Sequence, residues 1–285
     1  MIEGGAKMAR RRVREEEDMS LVTIDHATCR RDGRCGEVCP QGLFEQDDEG
    51  FPAFRDGADQ YCIACGHCVA ICPQDAVNHE ALSMEDARLI DYTQAVPTPA
   101  LVQLLKSRRS VREFREEPVP KALVEEIIDV ARWAPSAVNR QPVHWLMIRT
   151  PAEVKRMAGL VIDYLRRSVG LEPRYARFIK LWDQGRDPIL RNAPHLAVIH
   201  APDEWFWSSV DSTIALTQFE LAAVAQGIGT CWAGFLMRAA NGHPPLREAL
   251  GIPEDHSVFG AMMFGFPRYR YHRVPPRLEA RLEWK

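Results

Sequence analysis

The chain has 285 residues, 46% of them hydrophobic, and a formal net charge of −3 at pH 7. Its length suggests about two domains, and its hydrophobic content is sufficient for a full globular core. Residues 21–80 hold four Lys/Arg against eleven Asp/Glu, and residues 81–285 hold 27 Lys/Arg against 23 Asp/Glu. This uneven charge argues against a nucleic-acid partner. Ordinary surface solvation is the alternative explanation of the charge distribution.

The cysteine content bears on the cellular compartment. Seven of the eight cysteines lie between Cys29 and Cys72. Clustered thiols indicate a reducing environment, so we expect a cytoplasmic protein without a signal peptide. The longest uncharged stretch, Leu221–Met237, contains Gln226 and three glycines and is short for a membrane span, so no membrane association is expected.

The N-terminal residues 1–18 combine a basic run, Arg10–Arg14, with an acidic run, Glu15–Asp18. Neither run can build a core, so the composition predicts a disordered tail. From Met19 the sequence M-S-L-V-T-I-D alternates apolar residues as a strand does, which makes Met19 a candidate start residue.

Two cysteine-rich runs follow. Cys29–Pro40 reads C-R-R-D-G-R-C-G-E-V-C-P, and Cys62–Pro73 reads C-I-A-C-G-H-C-V-A-I-C-P. The second run has the spacing that holds iron–sulfur clusters in bacterial-type ferredoxins, in which the fourth cysteine of a run ligates the other cluster. Zinc is the alternative, but zinc sites usually consist of two separated cysteine pairs around one tetrahedral ion. The spacing therefore predicts two iron–sulfur clusters.

Crosswise ligation gives each cluster four candidate ligands. The first set is Cys29, Asp32, Cys35 and Cys72, and the second is Cys39, Cys62, Cys65 and Cys68. Asp32 occupies the position that Cys65 has in the second run. A carboxylate is a harder and weaker ligand for this soft site, so Asp32 either completes a [4Fe-4S] cluster or leaves a [3Fe-4S] cluster with an open corner. Alternatively, Asp32 is only a turn residue before Gly33.

The segment between the two runs, G-L-F-E-Q-D-D-E-G-F-P-A-F, predicts a hairpin because apolar segments flank a turn rich in Asp and Gly. The runs form a weak internal repeat, as expected if each half surrounds one cluster. We place a ferredoxin-like domain at residues 19–82 and a connecting helix and linker at residues 83–97, with Pro97 at its far end.

Residues 98–285 show a change of composition and a helical periodicity. The pattern predicts a helix over Pro120–Trp133 and a buried central helix over Ser209–Gln226. Strands are predicted at Val143–Arg149, Leu196–His200 and Val258–Phe266. Helices and strands that follow one another in this order predict an α+β domain.

Four segments of this domain stand out as candidate ligand sites. Ser107–Phe114 places three arginines and two serines before a helical region, which suits a phosphate. Pro135–Pro142 is a polar loop with amides, and Gly227–Gly234 has glycines that allow a ligand to approach the backbone. Arg268–Arg277 is a late basic segment.

These segments resemble the nitroreductase-like flavoprotein family, specifically its members fused to an N-terminal ferredoxin domain. The motifs R-R-S-x-R-x-F, A-P-S-x-x-N-x-Q-P and G-x-G-T-C-W-x-G occur in the family's order and spacing. The resemblance covers residues 98–285 and, with the ferredoxin part, nearly the whole chain after Met19. It implies an α+β fold that forms a homodimer and binds FMN at the subunit interface.

The resemblance also implies which residues contact FMN. The residues that contact the phosphate and ribityl chain are Arg108, Arg109, Ser110 and Arg112, and the last phosphate contact is Arg273, with Arg270 and Arg277 as alternatives. The residues that line the flavin are Pro135, Ser136, Ala137, Asn139 and Gln141. The residues on the other side of the flavin ring are Gly229, Thr230 and Trp232. No general acid is evident. Cys231, His144 and His200 are interpreted as buried structural residues.

The expected function is that of an FMN-dependent oxidoreductase that is supplied with electrons by its own clusters. Clusters carry single electrons, whereas flavins handle one or two. Nitroaromatics and quinones are the expected acceptors, and a ferredoxin is a candidate donor. The alternatives are a redox relay or sensor between protein partners, and another flavin reaction such as reductive dehalogenation or dehydrogenation.

Overall fold

The computed structural model describes residues 20–168 and 175–285. The chain divides into two compact units, Met1–Asp91 and Tyr92–Lys285. The predicted tail at residues 1–18 and the candidate start at Met19 lie outside the described residues.

The first unit contains short elements connected by turns. They are β1 (Val22–Ile24), α1 (Arg34–Glu37), β2 (Phe44–Gln46), β3 (Pro52–Phe54), α2 (His67–Ile71) and β4 (Val77–His79). β2 and β3 form the predicted hairpin, and β1 pairs with β4 in an antiparallel ladder that joins the two ends of the unit. A small core that includes Val22, Phe44 and Val77 lies between them.

The two cysteine runs have matching backbone conformations. Arg31 and Ala64 both have positive φ angles, of 59° and 48°, at equivalent positions of the two runs. Gly33 and Gly66, with φ angles of 71° and 72°, directly precede α1 and α2. These left-handed residues turn each run so that it surrounds a cavity, which confirms the internal repeat.

The prediction of a connecting helix within residues 83–97 is wrong, because the chain forms no continuous helix there. The structure has two short 3₁₀ turns there, Met84–Asp86 and Tyr92–Gln94. Neither turn contains a buried residue, so no apolar face is available to stabilise a longer helix.

The second unit has an α+β fold, as predicted. Its elements are α3 (Thr98–Ser107), α4 (Lys121–Ala131), β5 (His144–Ile148), α5 (Pro151–Ser168), α6 (Tyr175–Asp183), β6 (His195–Pro202), α7 (Ser208–Ala225), β7 (Gly229–Trp232), α8 (Gly234–Gly242), α9 (Pro244–Leu250) and β8 (His256–Gly265). Among the residues that the structure describes, no helix is long and apolar enough to cross a membrane.

The four strands of this unit form one antiparallel sheet in the order β5-β6-β8-β7. Helices cover both faces. One core contains Val161, Leu165 and Leu236 from α5 and α8, and the other contains Ile127 and Phe219 from α4 and α7. The long β6 and β8 strands are therefore buried between two helical layers.

Two expectations for this unit need correction. α7 is apolar nearly all round, but one of its faces is exposed, including Val210, Thr213 and Thr217. No strand was predicted at Gly227–Gly234, but this segment contains β7, whose backbone pairs with β8 at the edge of the sheet.

Candidate functional site

The first candidate site consists of two cavities in the N-terminal unit. One is lined by Cys29, Asp32, Cys35 and Cys72, and the other by Cys39, Cys62, Cys65 and Cys68. Each cavity thus takes three positions from one run and the fourth cysteine from the other. This is the crosswise arrangement that the spacing predicts, and it arises because the antiparallel β1–β4 pair brings the two runs side by side.

Among the described residues, the candidate ligands of each cavity do not converge on one point. Within residues 20–168 and 175–285, no three His, Cys, Asp or Glu side chains converge closely enough to hold one metal ion. Four thiolates around one zinc ion, each about 2.3 Å from the metal, would lie within roughly 4 Å of one another. A cluster places a different iron atom at each corner, so its ligands surround a space instead of meeting at a point.

Backbone amides point at the ligand sulfurs in both halves. Arg31 donates its N–H to Cys29 Sγ at 3.4 Å, Leu43 to Cys39 Sγ at 3.5 Å, and Ala76 to Cys72 Sγ at 3.3 Å. Such N–H···S bonds stabilise negative charge on a sulfur. Burial raises the pKa of the Cys35 and Cys62 thiols, and that of Cys68 to about 11.

The surroundings of Asp32 are compatible both with a cluster ligand and with a turn residue before Gly33. Its side chain lines the first cavity together with the cysteines. Its Oδ1 also accepts the Arg34 N–H at 3.3 Å, and its Oδ2 lies 3.4 Å from Arg34 Nε. A carboxylate has two oxygens with about four lone-pair sites, so a bond to the helix start leaves acceptor capacity for iron.

A buried histidine, which the sequence reasoning did not identify, adjoins the second cavity. His79 at the end of β4 is 2% exposed. Its Nε2 lies 3.5 Å from Cys62 Sγ, and its Nδ1 accepts the Ala81 N–H at 3.2 Å. Burial lowers the pKa of His79 below that of a free histidine.

The second candidate site lies in the C-terminal unit, where the arginine-rich segment meets β7. Ser110 forms a parallel bridge with Thr230, and Val111 donates its N–H to Thr230 O at 2.8 Å. A Cβ on Gly229 would lie 2.8 Å from Val111, so only glycine permits this close approach. The structure therefore brings together two of the segments that the sequence singled out.

The arginines of this segment differ in their surroundings. Arg108 Nη1 lies 3.0 Å from Oε1 of Glu220, a carboxylate on α7 whose side chain is 8% exposed. Thr230 Oγ1 donates to the same oxygen at 3.1 Å. Arg109 is half-buried and Arg112 is exposed, and each donates a hydrogen bond to a backbone carbonyl of its own segment.

The Pro135–Gln141 loop has a strained backbone. Val138, Asn139 and Gln141 have positive φ angles of 47°, 52° and 49°. Ser136 Oγ accepts the Gln141 N–H at 2.9 Å, and Gln141 Nε2 donates to Asn139 Oδ1 at 3.3 Å. Non-glycine residues in this conformation cost free energy and are concentrated at functional sites.

A second buried carboxylate on α7 holds this loop. Asp211 is 3% exposed, and its Oδ1 accepts the Ala137 N–H at 3.0 Å while its Oδ2 accepts Trp205 Nε1–H at 2.9 Å. Asp211 and Glu220 are nine residues apart, which on a helix is about 13 Å along the axis and half a turn around it. Within one protomer, the loop and the arginine segment therefore lie on opposite flanks of α7.

The C-terminal basic segment begins beside the arginine segment. Arg115 donates its N–H to Phe266 O at 2.9 Å, and Arg268 donates its N–H to Glu113 O at 2.9 Å. Beyond this point the chain is exposed and without regular secondary structure, and Arg273 lies in that part. Arg268 is thus hydrogen-bonded to the arginine segment, whereas Arg273 lies farther along the exposed chain.

Cys231 and two histidines have the following environments. Burial raises the pKa of the Cys231 thiol, although Arg112 and Arg191 oppose this, and a protonated thiol is a poor nucleophile.

His200 is half-buried, its Nδ1 lies 2.8 Å from His256 Nδ1, and burial lowers its pKa to about 4. The expectation of a buried His144 is wrong, because this side chain is exposed at the end of β5.

The sequence reasoning missed the two carboxylates that hold the arginine segment and the Pro135–Gln141 loop. Asp211 and Glu220 are the acidic residues of an otherwise uncharged helix, α7. A charged residue within a helix whose other positions are apolar is seldom buried without a partner. That pattern is visible in the sequence and could have identified both residues.

Comparison with known proteins gives matches for both units. A model of the nitroreductase family matches residues 105–266, and a model described as a 4Fe-4S dicluster domain matches residues 21–86. A protein of Archaeoglobus fulgidus provisionally named NADH dehydrogenase/NAD(P)H nitroreductase is 30% identical over 168 residues, which is 59% of this chain and 85% of that protein.

Further relatives agree with these matches. A chloronitrobenzene nitroreductase of Comamonas testosteroni is 26% identical over 204 residues, covering 60% of this chain and 88% of that protein. A crystal structure of an FMN-bound nitroreductase from Bacteroides fragilis covers 64% of this chain and 95% of its own, with a TM-score of 0.55 and 21% identity. At this identity the structural match establishes the fold of the second unit.

Proposed function

The chain belongs to the nitroreductase family of FMN-dependent oxidoreductases, and we propose that it passes electrons through two iron–sulfur clusters of its own to FMN and on to a small electrophilic acceptor, such as a nitroaromatic or a quinone. One observation carries this proposal. A single chain combines the family's domain with two cavities that each gather four candidate cluster ligands. One-electron carriers and a two-electron cofactor are thereby joined in one polypeptide.

The clusters are held by the two ligand sets described above. We propose a [4Fe-4S] cluster on the set with Cys39, and a [4Fe-4S] or [3Fe-4S] cluster on the set with Asp32. The backbone N–H groups of Leu43 and Ala76 orient and stabilise a sulfur of each set. The cavities are lined by apolar side chains such as Ile24 and Val22, which limit the access of water.

The proposed FMN contacts fit the geometry of the second site. The guanidinium groups of Arg109 and Arg112 are near the surface beside β7, where they can reach a phosphate. Arg108, Ser110, Thr230 and Trp232 complete this side, and Gly229 lets the two segments approach each other. The loop residues Pro135, Ser136, Ala137, Asn139 and Gln141 form the other side. Bound FMN supplies the chemistry of collecting single electrons and delivering a pair.

We propose that FMN binds between two copies of the chain. In one protomer a flavin in contact with both sides would have to cross the exposed face of α7, where Val210 is 44% exposed. Leu101 and Leu105 of α3 are 44% and 48% exposed, so apolar surface is available for a partner. Pairing on this surface would supply the second copy of each segment that a complete site requires. Arg273, in the exposed C-terminal part, would then act as a further phosphate contact.

The electron donor is proposed to be a low-potential one-electron carrier such as a reduced ferredoxin, in a cytoplasmic setting that keeps the seven clustered thiols reduced. Reduction of the clusters requires a donor of this type, because each accepts one electron at a time. The acceptor is proposed to be a small molecule that approaches the flavin.

The test compares the full chain with a fragment of residues 92–285, which form a compact unit by themselves. Stopped-flow mixing with reduced ferredoxin under anaerobic conditions should reduce FMN rapidly in the full chain and slowly in the fragment. As a control, the fragment reduced by dithionite should still transfer electrons to a nitroaromatic. Equal rates of FMN reduction in the two proteins would refute the proposed route through the clusters.

A further inference from the structure

His79 contacts a cluster ligand from within the core of the N-terminal unit. It lies at the end of β4, directly opposite Val22 of β1, and is 2% exposed. Its Nε2 is 3.5 Å from Sγ of Cys62, which lines the second cavity. The ladder between β1 and β4 holds the backbone of His79 in this position.

The second ring nitrogen determines which atom holds the proton. His79 Nδ1 accepts the backbone N–H of Ala81 at 3.2 Å. A nitrogen that accepts a hydrogen bond has its lone pair free and therefore has no proton of its own. The ring hydrogen must then be on Nε2, which lies 3.5 Å from Cys62 Sγ. The contact is an N–H···S bond in which the histidine is the donor.

Backbone donors are equivalent in the two halves, and the Arg31 N–H at Cys29 corresponds to the Ala64 N–H at Cys62. Leu43 and Ala76 donate to Cys39 and Cys72, which are equivalent positions of the two runs, at 3.5 and 3.3 Å. The His79 bond adds a side-chain donor to the set of Cys39, Cys62, Cys65 and Cys68. Hydrogen bonds to the sulfurs are among the factors that set the reduction potential of a cluster.

We propose that His79 is a positioning residue that raises the reduction potential of the cluster held by Cys39, Cys62, Cys65 and Cys68. The inference rests on the proposed function, because it requires the cluster to be present. When the cluster accepts one electron from an external one-electron donor, negative charge on its thiolates increases, and the N–H···S bond strengthens. The reduced form is therefore stabilised, more so because the site is buried. No proton is transferred and no covalent bond is changed.

The experiment is an anaerobic redox titration of the full chain with bound clusters, in which EPR spectroscopy monitors the reduction of each cluster. His79→Leu removes the donor and should shift the midpoint potential of this cluster to a lower value, while the potential of the Asp32 cluster stays constant. His79→Gln returns an N–H donor and should recover part of the shift. His67→Leu is the matched control, because His67 lines the same cavity but is exposed, and this change should leave both potentials as they were.

Several outcomes would overturn the inference. They are an unchanged potential in His79→Leu, an equal shift of both clusters, an equal shift in His67→Leu, and identical potentials for His79→Leu and His79→Gln. A wild-type protein without any cluster signal would instead refute the cluster assignment, and this inference with it.

A second measurement remains decisive if His79→Leu loses its cluster during purification. The His67→Leu protein is labelled with ring-¹⁵N histidine, and its reduced clusters are studied by pulsed EPR. An N–H···S bond should give a ¹⁵N hyperfine coupling to the cluster. The lack of this coupling would overturn the inference.

Discussion

The pair formed by Arg108 and Glu220 allows a test that separates a structural role from a role in cofactor binding. Arg108→Ala leaves the Glu220 carboxylate, whose side chain is 8% exposed, with Thr230 Oγ1 at 3.1 Å but without its charged partner. Breaking a buried ion pair costs about 3–5 kcal/mol. The Arg108 side chain is 25% exposed, so solvent screening reduces the expected loss to about 2–3 kcal/mol.

This loss is measurable as a change in thermal stability. For a unit of this size, 1 kcal/mol corresponds to about 2–4 °C, so Tm of the FMN-free protein should fall by about 4–12 °C. The double variant Arg108→Ala/Glu220→Gln should be more stable than Arg108→Ala, because the amide removes the unpaired charge. Arg132→Ala is the matched control; its pair with Asp129 is exposed and should contribute at most about 1 kcal/mol.

Binding assays with two ligands then address the cofactor. If Arg108 also contacts the FMN phosphate, its loss should weaken FMN binding by about 10- to 100-fold, since a hydrogen bond to a charged group contributes about 1.5–3 kcal/mol. Riboflavin lacks the phosphate and should bind almost equally to both proteins. Additive effects of the Arg108 and Glu220 changes on Tm would refute the pairing, and equal weakening of FMN and riboflavin would refute the phosphate contact.

Three other predictions concern the clusters and the histidines. Asp32→Cys should stabilise a four-iron cluster against iron loss, seen in iron content and EPR spectra; spectra identical to those of the wild type would contradict ligation by Asp32. Cys39→Ser should alter the cluster of the second run, Cys62–Cys68, and spare the other; damage confined to the cluster of the first run would contradict crosswise ligation. His200 has a pKa lowered by burial to about 4, so its contribution to stability is complete above about pH 6.5 and decreases as the pH falls towards 4. Urea unfolding should thus show a loss between pH 7 and pH 5 that is about 1–2 kcal/mol smaller in His200→Gln, and equal losses would contradict the lowered pKa.

The sequence predicted the elements whose patterns are local. Cysteine spacing predicted which cysteines line each of the two cavities, because the positions of thiols along a tight loop determine which of them can meet. The hairpin of β2 and β3, the strands β5, β6 and β8, and the helix α4 also follow from periodicity. β7 was missed because its pairing with β8 depends on residues distant in the chain, and a run with glycines has low strand propensity.

Site prediction from sequence failed where burial decides the role of a residue. The motifs identified Arg108 and Ala137 but not the carboxylates that hold them, because Glu220 and Asp211 belong to a helix distant in sequence. His79 was missed for the same reason: its contact with Cys62 depends on the pairing of β4 with β1. The role of Asp32 stays a prediction, since the side chain both lines the cavity and bonds to Arg34.

The left-handed residues of the Pro135–Gln141 loop have a consequence for how this protein can evolve. Val138 is β-branched and 53% exposed, so its φ angle of 47° is strained without any gain from burial. Glycine at position 138 would relieve about 1 kcal/mol of this strain, whereas Asn139 tolerates the left-handed region. Selection for heat resistance alone would therefore favour glycine there, and the loop would lose the rigidity that presents its amides in one arrangement. Val138 thus trades stability for a loop backbone held in one arrangement.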